Sequence, residues 1–122
     1  MLRSMMQVYV KGSVEAVQLY EQAFGAQLIC EHRNEDGTYL HAELSVYGQI
    51  LAVSESRDAD ITTGNTMQFC LHFGEHNQHL VDMAYKVLKQ DATITTPLGP
   101  CFFSPCMVGL IDRFGVNWCL FA

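Results

Sequence analysis

The chain has 122 residues, of which 49% are hydrophobic and 16% are charged. These fractions are typical of a globular interior and exclude a largely disordered or coiled-coil chain, and the length is that of one domain. The 7 basic and 13 acidic side chains give a formal net charge of -6. This charge argues against nucleic acid or an anionic membrane surface as a partner, because both require clustered positive charge.

Cysteine usage and the N-terminal stretch indicate the compartment. The five cysteines include no Cys-x-x-Cys pair, and Lys11 interrupts the N-terminal stretch before a signal-peptide apolar segment develops. No stretch has the length and apolar character of a membrane span. We therefore expect reduced thiols and a cytoplasmic protein.

The first half of the chain predicts a strand, a helix and three further strands. The first strand covers residues 6–10, and Ser13 is predicted to cap a helix whose apolar residues recur at helical spacing until Gly25 ends it. Asn34-Glu35-Asp36-Gly37 is predicted to form a hairpin turn. The remaining strands of this half are predicted over residues 26–33, 38–47 and 49–54.

The second half predicts the same arrangement again. Residues 55–66 are polar and lack a period, which indicates a connecting loop. A helix is predicted over residues 76–90, and a turn at Arg113-Phe114-Gly115 leads into the last strand. The strands of this half are predicted over residues 67–73, 92–96, 107–112 and 116–121, with a loop containing proline and glycine between the second and the third.

Three stretches of the sequence resemble the vicinal oxygen chelate superfamily, and within it the PhnB-like branch related to glyoxalase and bleomycin-resistance proteins. They are VKGSVEAVQLYEQAFGAQLI (10–29), YLHAELSVYGQILAVSE (39–55) and CFFSPCMVGLIDRFGVNWCLF (101–121), the last with the specific pattern D-x-F-G-V-x-W. The resemblance implies an α+β fold of two βαβββ modules whose curved mixed sheets enclose a cleft. It also implies a homodimer. We expect one domain over residues 1–122, with module one at about 1–56, a linker at about 57–65 and module two at about 66–122.

The resemblance further implies where a metal would bind. Metal-dependent relatives carry His, Gln or Glu ligands on the first and fourth strands of each module. The corresponding positions of this chain hold Met5, Ala52, Gln68 and Cys119. A shift of two residues on the first strand would put Gln7 in place of Met5. Because Met and Ala are not suitable ligands for such an ion, we expect no metal centre and no other cofactor.

Alternation along the strand at 38–47 separates two faces. Leu40, Ala42, Leu44 and Val46 are expected to face a helix, and His41, Glu43, Ser45 and Tyr47 the cleft. His41 and Glu43 are the catalytic candidates, because an imidazole and a carboxylate on one face can act as a base and its orienting group. The alternative is that both belong to a solvated strand face.

The remaining candidates are expected to bind a ligand in the cleft. They are Tyr9, Gln68, Cys70, His72, Phe103 and Cys119. The loop that contains Cys101 and Cys106 borders the cleft in the superfamily, and a thiol there is reactive if a cation lowers its pKa and inert if it is buried. Trp118 is expected either in the core or at a dimer interface.

Two functions remain open at this point. One is a binding or sequestering module for a small molecule, like the resistance proteins of the superfamily, without the usual metal centre. The other is a metal-independent or divergent-metal enzyme of the lyase, isomerase or dioxygenase type acting on a small metabolite. The expected partners are a small-molecule ligand and a second copy of the chain, and neither nucleic acid nor a membrane is expected.

Overall fold

The computed structural model describes all residues from Met1 to Ala122. The chain divides into two compact units, Met1–Ile61 and Thr62–Ala122. Each unit consists of one helix and a four-stranded mixed sheet. The expected α+β architecture with two successive βαβββ arrangements is therefore confirmed. No helix is both long enough and apolar enough to span a membrane.

The first unit packs one helix against one face of its sheet. Its elements are β1 (Met6–Val10), α1 (Ser13–Phe24), β2 (Gln27–Arg33), β3 (Tyr39–Val46) and β4 (Gln49–Glu55). The strand order is β1-β4-β3-β2, with β1 parallel to β4 and the other pairs antiparallel. The core lies between α1 and the sheet, and its largest fully buried side chains are Tyr20, Phe24, Leu44, Leu51, Val10, Val17, Val46 and Val53.

Helix α1 begins in a different way from the predicted serine cap. Gly12 is the N-cap residue, with φ 92°, and it offers no side-chain cap. Ser13 uses its hydroxyl to accept the Tyr39 N–H at 2.8 Å. The Glu55 carboxylate takes over the capping role and accepts the N–H groups of Gly12 at 3.1 Å and Ser13 at 2.9 Å. The helix ends as predicted at Gly25, with φ 62°.

The alternation predicted for β3 holds from Ala42 to Val46 and fails at Leu40. In the pairing of β2 with β3, His32 lies opposite His41 and Arg33 lies opposite Tyr39, so Leu40 is an extra residue in a β-bulge. Tyr39 is consequently buried, while Leu40 is 62% exposed. The prediction that Leu40 faces the helix is wrong because the bulge reverses the alternation.

The second unit repeats the arrangement. Its elements are β5 (Phe69–His72), α2 (Gln78–Leu88), β6 (Thr93–Cys101), β7 (Ser104–Ile111) and β8 (Asn117–Phe121). The strand order is β5-β8-β7-β6, with β5 parallel to β8. Helix α2 contacts β7 and β8 and buries Val81, Ala84 and Leu88. Trp118 is fully buried within this single chain, which assigns it to the core.

The predicted loop between the second and third strands of this unit is wrong. Strand β6 continues through Pro97 and Pro100 and ends at Cys101. The prolines are tolerated because β6 is an edge strand whose pairing with β7 is irregular. The connection therefore shrinks to residues 102–103, and Cys106 lies within β7.

The turn between β7 and β8 is organised by the buried carboxylate of Asp112. Its Oδ1 atom accepts the N–H groups of Phe114 at 2.9 Å and Val116 at 3.1 Å. Its Oδ2 atom accepts the indole Nε1–H of Trp118 at 2.9 Å. Gly115 completes the turn with φ 88°. Asp112 thus joins the predicted turn to the core of the unit.

Candidate functional site

The first sheet carries polar side chains on the face away from α1. Strand pairing aligns Gln7, Ala52, Glu43 and Cys30 in one row across the sheet. Because paired residues point to the same face, their side chains share the face on which the catalytic candidates were predicted. Tyr9 lies on the same strand as Gln7, two residues further on, and is 65% exposed.

Glu43 and His41 are brought together as predicted, and Arg3 joins them. The Nε2 atom of His41 lies 3.4 Å from Oε1 of Glu43. Arg3 donates to both carboxylate oxygens, from Nη2 to Oε1 at 2.7 Å and from Nη1 to Oε2 at 3.3 Å. The Glu43 side chain is 7% exposed, whereas that of Arg3 is 51% exposed. The structure therefore contains a charged trio, Arg3, His41 and Glu43.

The ion pair changes the pKa values of Glu43 and Arg3. The hydrogen bond from Arg3 lowers the pKa of the Glu43 carboxyl against the opposing effect of burial, and the hydrogen bond to His41 lowers it further. The same contact raises the pKa of Arg3. A carboxylate with a lowered pKa is a weak base, so Glu43 is suited to orient the His41 ring rather than to take a proton itself.

Arg3 was not predicted as a site residue. It lies 40 residues from Glu43 in the sequence, and its stretch carries no regular pattern. The sequence held one indirect signal, the Glu43 carboxylate within a strand. Such a carboxylate needs a charged or hydrogen-bonding partner once it is buried, but the sequence does not show which residue that partner is.

The second sheet carries the other ligand-binding candidates on its face away from α2. These residues are Gln68, Cys70, His72, Phe103 and Cys119. Strand pairing puts Cys70 beside Cys119 and His72 beside Phe121. We call this surface the ladder face, after the aromatic rings on it. The remaining candidate, Tyr9, lies on β1 of the first unit.

The aromatic rings of the ladder face contact one another in series. The His72 ring stacks on Phe121 with centroids 4.6 Å apart. Phe121 meets Phe103 edge to face at 5.2 Å, and Phe103 meets Phe102 in the same way at 5.1 Å. Phe102 is 98% exposed and Phe103 is 49% exposed. Exposed apolar surface with a polar border is typical of a binding site, and these rings form what we call the aromatic ladder.

Phe121 was not among the predicted ligand-binding residues. Alternation along β8 places it on the same face as Cys119, which was predicted. The sequence therefore held a usable signal for Phe121. The contact of Phe103 with the ladder depends on the short connection between β6 and β7. The sequence predicted a long loop there, so this contact was not predicted.

Burial disfavours the charged form of two thiols in the second unit. Burial, with a smaller contribution from the neighbouring Cys70 thiol, raises the pKa of Cys119 to about 11. Burial also raises the pKa of Cys106, with a smaller effect from Asp82. Both thiols are therefore protonated at neutral pH, and Cys106 fits the inert alternative given for this segment.

The residues at the implied metal-binding positions do not fit a glyoxalase-type metal centre. These positions hold Met5, Ala52, Gln68 and Cys119. The side-chain amide of Gln68 donates to the Oδ1 atom of Asn117 at 3.2 Å, and Cys119 retains its proton. No group of three His, Cys, Asp or Glu side chains is arranged to hold a metal ion.

Several solved structures have the same architecture over nearly the whole chain. The PhnB protein from Bacillus cereus, described as a putative 3-demethylubiquinone-9 3-methyltransferase, is 24% identical, with a TM-score of 0.83 and coverage of 98% of each chain. Protein PA1353 from Pseudomonas aeruginosa is 22% identical, with a TM-score of 0.81 and coverage of 99% of this chain and 97% of that one.

A more distant structure extends the likeness. The fosfomycin resistance protein FosX from Listeria monocytogenes, solved with Mn(II) and sulfate, is 13% identical, with a TM-score of 0.70 and coverage of 98% of this chain and 88% of that one. No family model matches the chain, and no curated protein matches it in sequence. The chain therefore has the fold of these proteins, with the two βαβββ modules that the resemblance of the three sequence stretches implied.

Proposed function

We propose that the protein binds a small molecule on the ladder face, as a PhnB-like protein of the glyoxalase and bleomycin-resistance type that works without the usual metal centre. The observation that supports this proposal most strongly is the aromatic ladder. Its rings continue from His72 in β5 to the almost fully exposed Phe102. Exposure of large rings is unfavourable in water unless a partner covers them.

The chemistry of the ladder face describes the ligand. Stacked and edge-to-face rings suit a flat, largely apolar molecule, because each aromatic contact adds about 0.5–1.5 kcal/mol to the burial of its area. The exposed Gln68 and Cys70 side chains lie beside the rings and can hydrogen-bond a polar group at one end of the ligand. Since the Gln68 side chain is uncharged, the ligand does not need a net charge to pair with it.

A ligand screen with a matched pair of variants tests the proposal. Planar small molecules are first screened for thermal stabilisation of the protein, and the affinity of each hit is then measured by calorimetry. We expect Phe103→Ala to weaken binding about tenfold, which corresponds to about 1.4 kcal/mol. Phe114→Ala is the control, because its ring lies in the turn at the opposite end of β8 and contacts Arg113.

Each outcome of these measurements either supports or contradicts binding on the ladder face. A loss of affinity in Phe103→Ala alone supports the ladder face, and so does an unchanged affinity after treatment with a chelator. Equal affinity in wild type and Phe103→Ala, or a loss of binding on chelation, contradicts the proposal. A screen that yields no stabilising compound from the planar class also contradicts it.

A second candidate function is supported by the charged trio. In this alternative the protein is a metal-independent or divergent-metal enzyme of the lyase, isomerase or dioxygenase type, and His41 exchanges a proton while Glu43 orients its ring. The test is turnover of each screening hit by wild type, His41→Gln and the control His32→Gln. Loss of turnover in His41→Gln alone supports the enzyme, and absence of turnover in wild type contradicts it.

We also propose that the protein is a cytoplasmic homodimer. The bulged Leu40 is 62% exposed and Ile29 on the neighbouring strand is 53% exposed, so the first sheet presents apolar surface that a second copy can cover. Sedimentation at micromolar concentration is the test. Twice the chain mass of 13.7 kDa supports the dimer, and a species of 13.7 kDa alone contradicts it.

A further inference from the structure

Cys70 and Cys119 are direct neighbours on the parallel strands β5 and β8. Adjacent strands lie about 4.7–4.9 Å apart, and disulfide-bonded cysteines have Cα atoms about 4.4–6.8 Å apart. Because paired residues point to the same face, both sulfur atoms lie on the ladder face. The Cys70 thiol lies near enough to Cys119 to contribute to its raised pKa. Both cysteines are free thiols, so the pair is placed for a bond that has not formed.

The two thiols differ in their accessibility. Cys70 is exposed, whereas Cys119 is buried with 9% of its surface accessible. A dissolved oxidant therefore reaches Cys70 first. Burial raises the pKa of Cys119 to about 11, which further protects that thiol from direct oxidation. Cys101 lies on β6, and β7 separates β6 from β8. Cys70 is therefore the cysteine on a neighbouring strand that can form a disulfide with Cys119.

We propose that Cys70 and Cys119 form a peroxide-responsive thiol pair. The Cys70 sulfur attacks hydrogen peroxide, the O–O bond breaks, and the products are the Cys70 sulfenic acid and one water. The Cys119 sulfur then attacks the sulfenic sulfur, the S–O bond breaks, and the leaving hydroxide takes the Cys119 proton as a second water. The two thiols supply the two electrons that reduce the peroxide, and a disulfide joins β5 to β8.

The proposal is independent of the ligand proposed for the ladder face. It uses only the pairing of β5 with β8 and the exposure of the two thiols. An added dithiol reverses the reaction by exchange, so the pair cycles between two states.

Peptide mapping of the wild-type protein tests the proposal without any variant. The reduced protein is treated with one equivalent of hydrogen peroxide, denatured in the presence of an alkylating agent, digested and analysed by mass spectrometry. We expect the intact protein, weighed before alkylation, to lose the mass of two hydrogen atoms, and the digest to contain a cross-linked peptide that joins Cys70 to Cys119. A dithiol should remove both signals.

Variants then identify the order of the steps. In Cys119→Ser the cross-link should be lost and the Cys70 sulfenic acid should be captured by a dimedone probe. Cys106→Ser is the matched control and should keep the cross-link. The proposal is overturned if Cys70 of the wild type is joined to any other cysteine, is joined between two molecules, or passes to the sulfinic acid without forming the disulfide.

Discussion

Replacement of Asp112 by alanine should remove the support of the turn before β8. In the native protein this carboxylate accepts hydrogen bonds from the backbone N–H groups of Phe114 and Val116 and from the indole of Trp118. Both Val116 and Trp118 are buried, so these two donors have no ready access to water after the substitution. Phe114 is only partly buried, and water can replace its lost acceptor.

The lost hydrogen bonds determine the expected decrease in the free energy of unfolding. A hydrogen bond to a charged group contributes about 1.5–3 kcal/mol, and an unpaired buried donor costs about 1–3 kcal/mol. The two buried donors account for most of the effect, so we expect Asp112→Ala to lower the free energy of unfolding by about 4 kcal/mol. Asp112→Asn should cost about half as much, because its oxygen can still accept two backbone N–H groups while its amide faces the indole donor.

Urea denaturation followed by the fluorescence of Trp118 measures both variants. The control is Asp82→Ala, which removes an exposed carboxylate from α2 and should change the free energy of unfolding by at most about 0.5 kcal/mol. If Asp112→Ala loses less than about 1 kcal/mol, or if Asp112→Asn loses more than Asp112→Ala, the hydrogen-bond reasoning is wrong.

Three further predictions follow from individual contacts. Burial raises the pKa of Glu55, but hydrogen bonds from the N–H groups at the start of α1 outweigh burial and hold the pKa below its ordinary value. In urea titrations, the stability that Glu55 contributes relative to Glu55→Gln should therefore be present at neutral pH and be lost as the pH falls through that lowered pKa. Gly109→Ala should lower the free energy of unfolding by about 1–2 kcal/mol in the same assay, because the added methyl group would lie 2.9 Å from a threonine hydroxyl of β6. Gly99→Ala is the control and should leave the free energy of unfolding unchanged, because its methyl group would have no atom within 4 Å. Arg3→Ala should raise the pKa of Glu43 in a carbon-detected NMR titration, and an unchanged pKa would refute the assignment of its main cause.

Local patterns in the sequence were sufficient to predict most of the helices and strands. Helical spacing before Gly25 and the turn at Arg113-Phe114-Gly115 identified elements whose observed bounds lie close to the predicted ones. The errors occurred where pairing with a neighbour overrides the local pattern. Strand β6 accepts prolines because of its edge position, which no local pattern reveals. The helix cap supplied by Glu55 comes from a strand 42 residues away from Ser13.

Less of the candidate site than of the fold could be predicted from the sequence. Alternation correctly grouped His41 with Glu43, because that rule depends only on the strand period. Register between strands is a tertiary property, and the structure puts Gln7 rather than Met5 beside Ala52. The partner of Glu43 was missed for the same reason, since Arg3 reaches it across the sheet.

The most direct test of the account is a map of ligand-induced amide chemical-shift changes, recorded on chelator-treated protein with the best hit from the planar screen. If the ladder face is the binding site, the largest changes should occur at His72, Phe103 and Cys119, with few changes in α2 on the opposite face of the same sheet. Changes centred on His41 and Glu43, or a complete loss of binding after removal of metal, would contradict the proposed site and its independence from a metal.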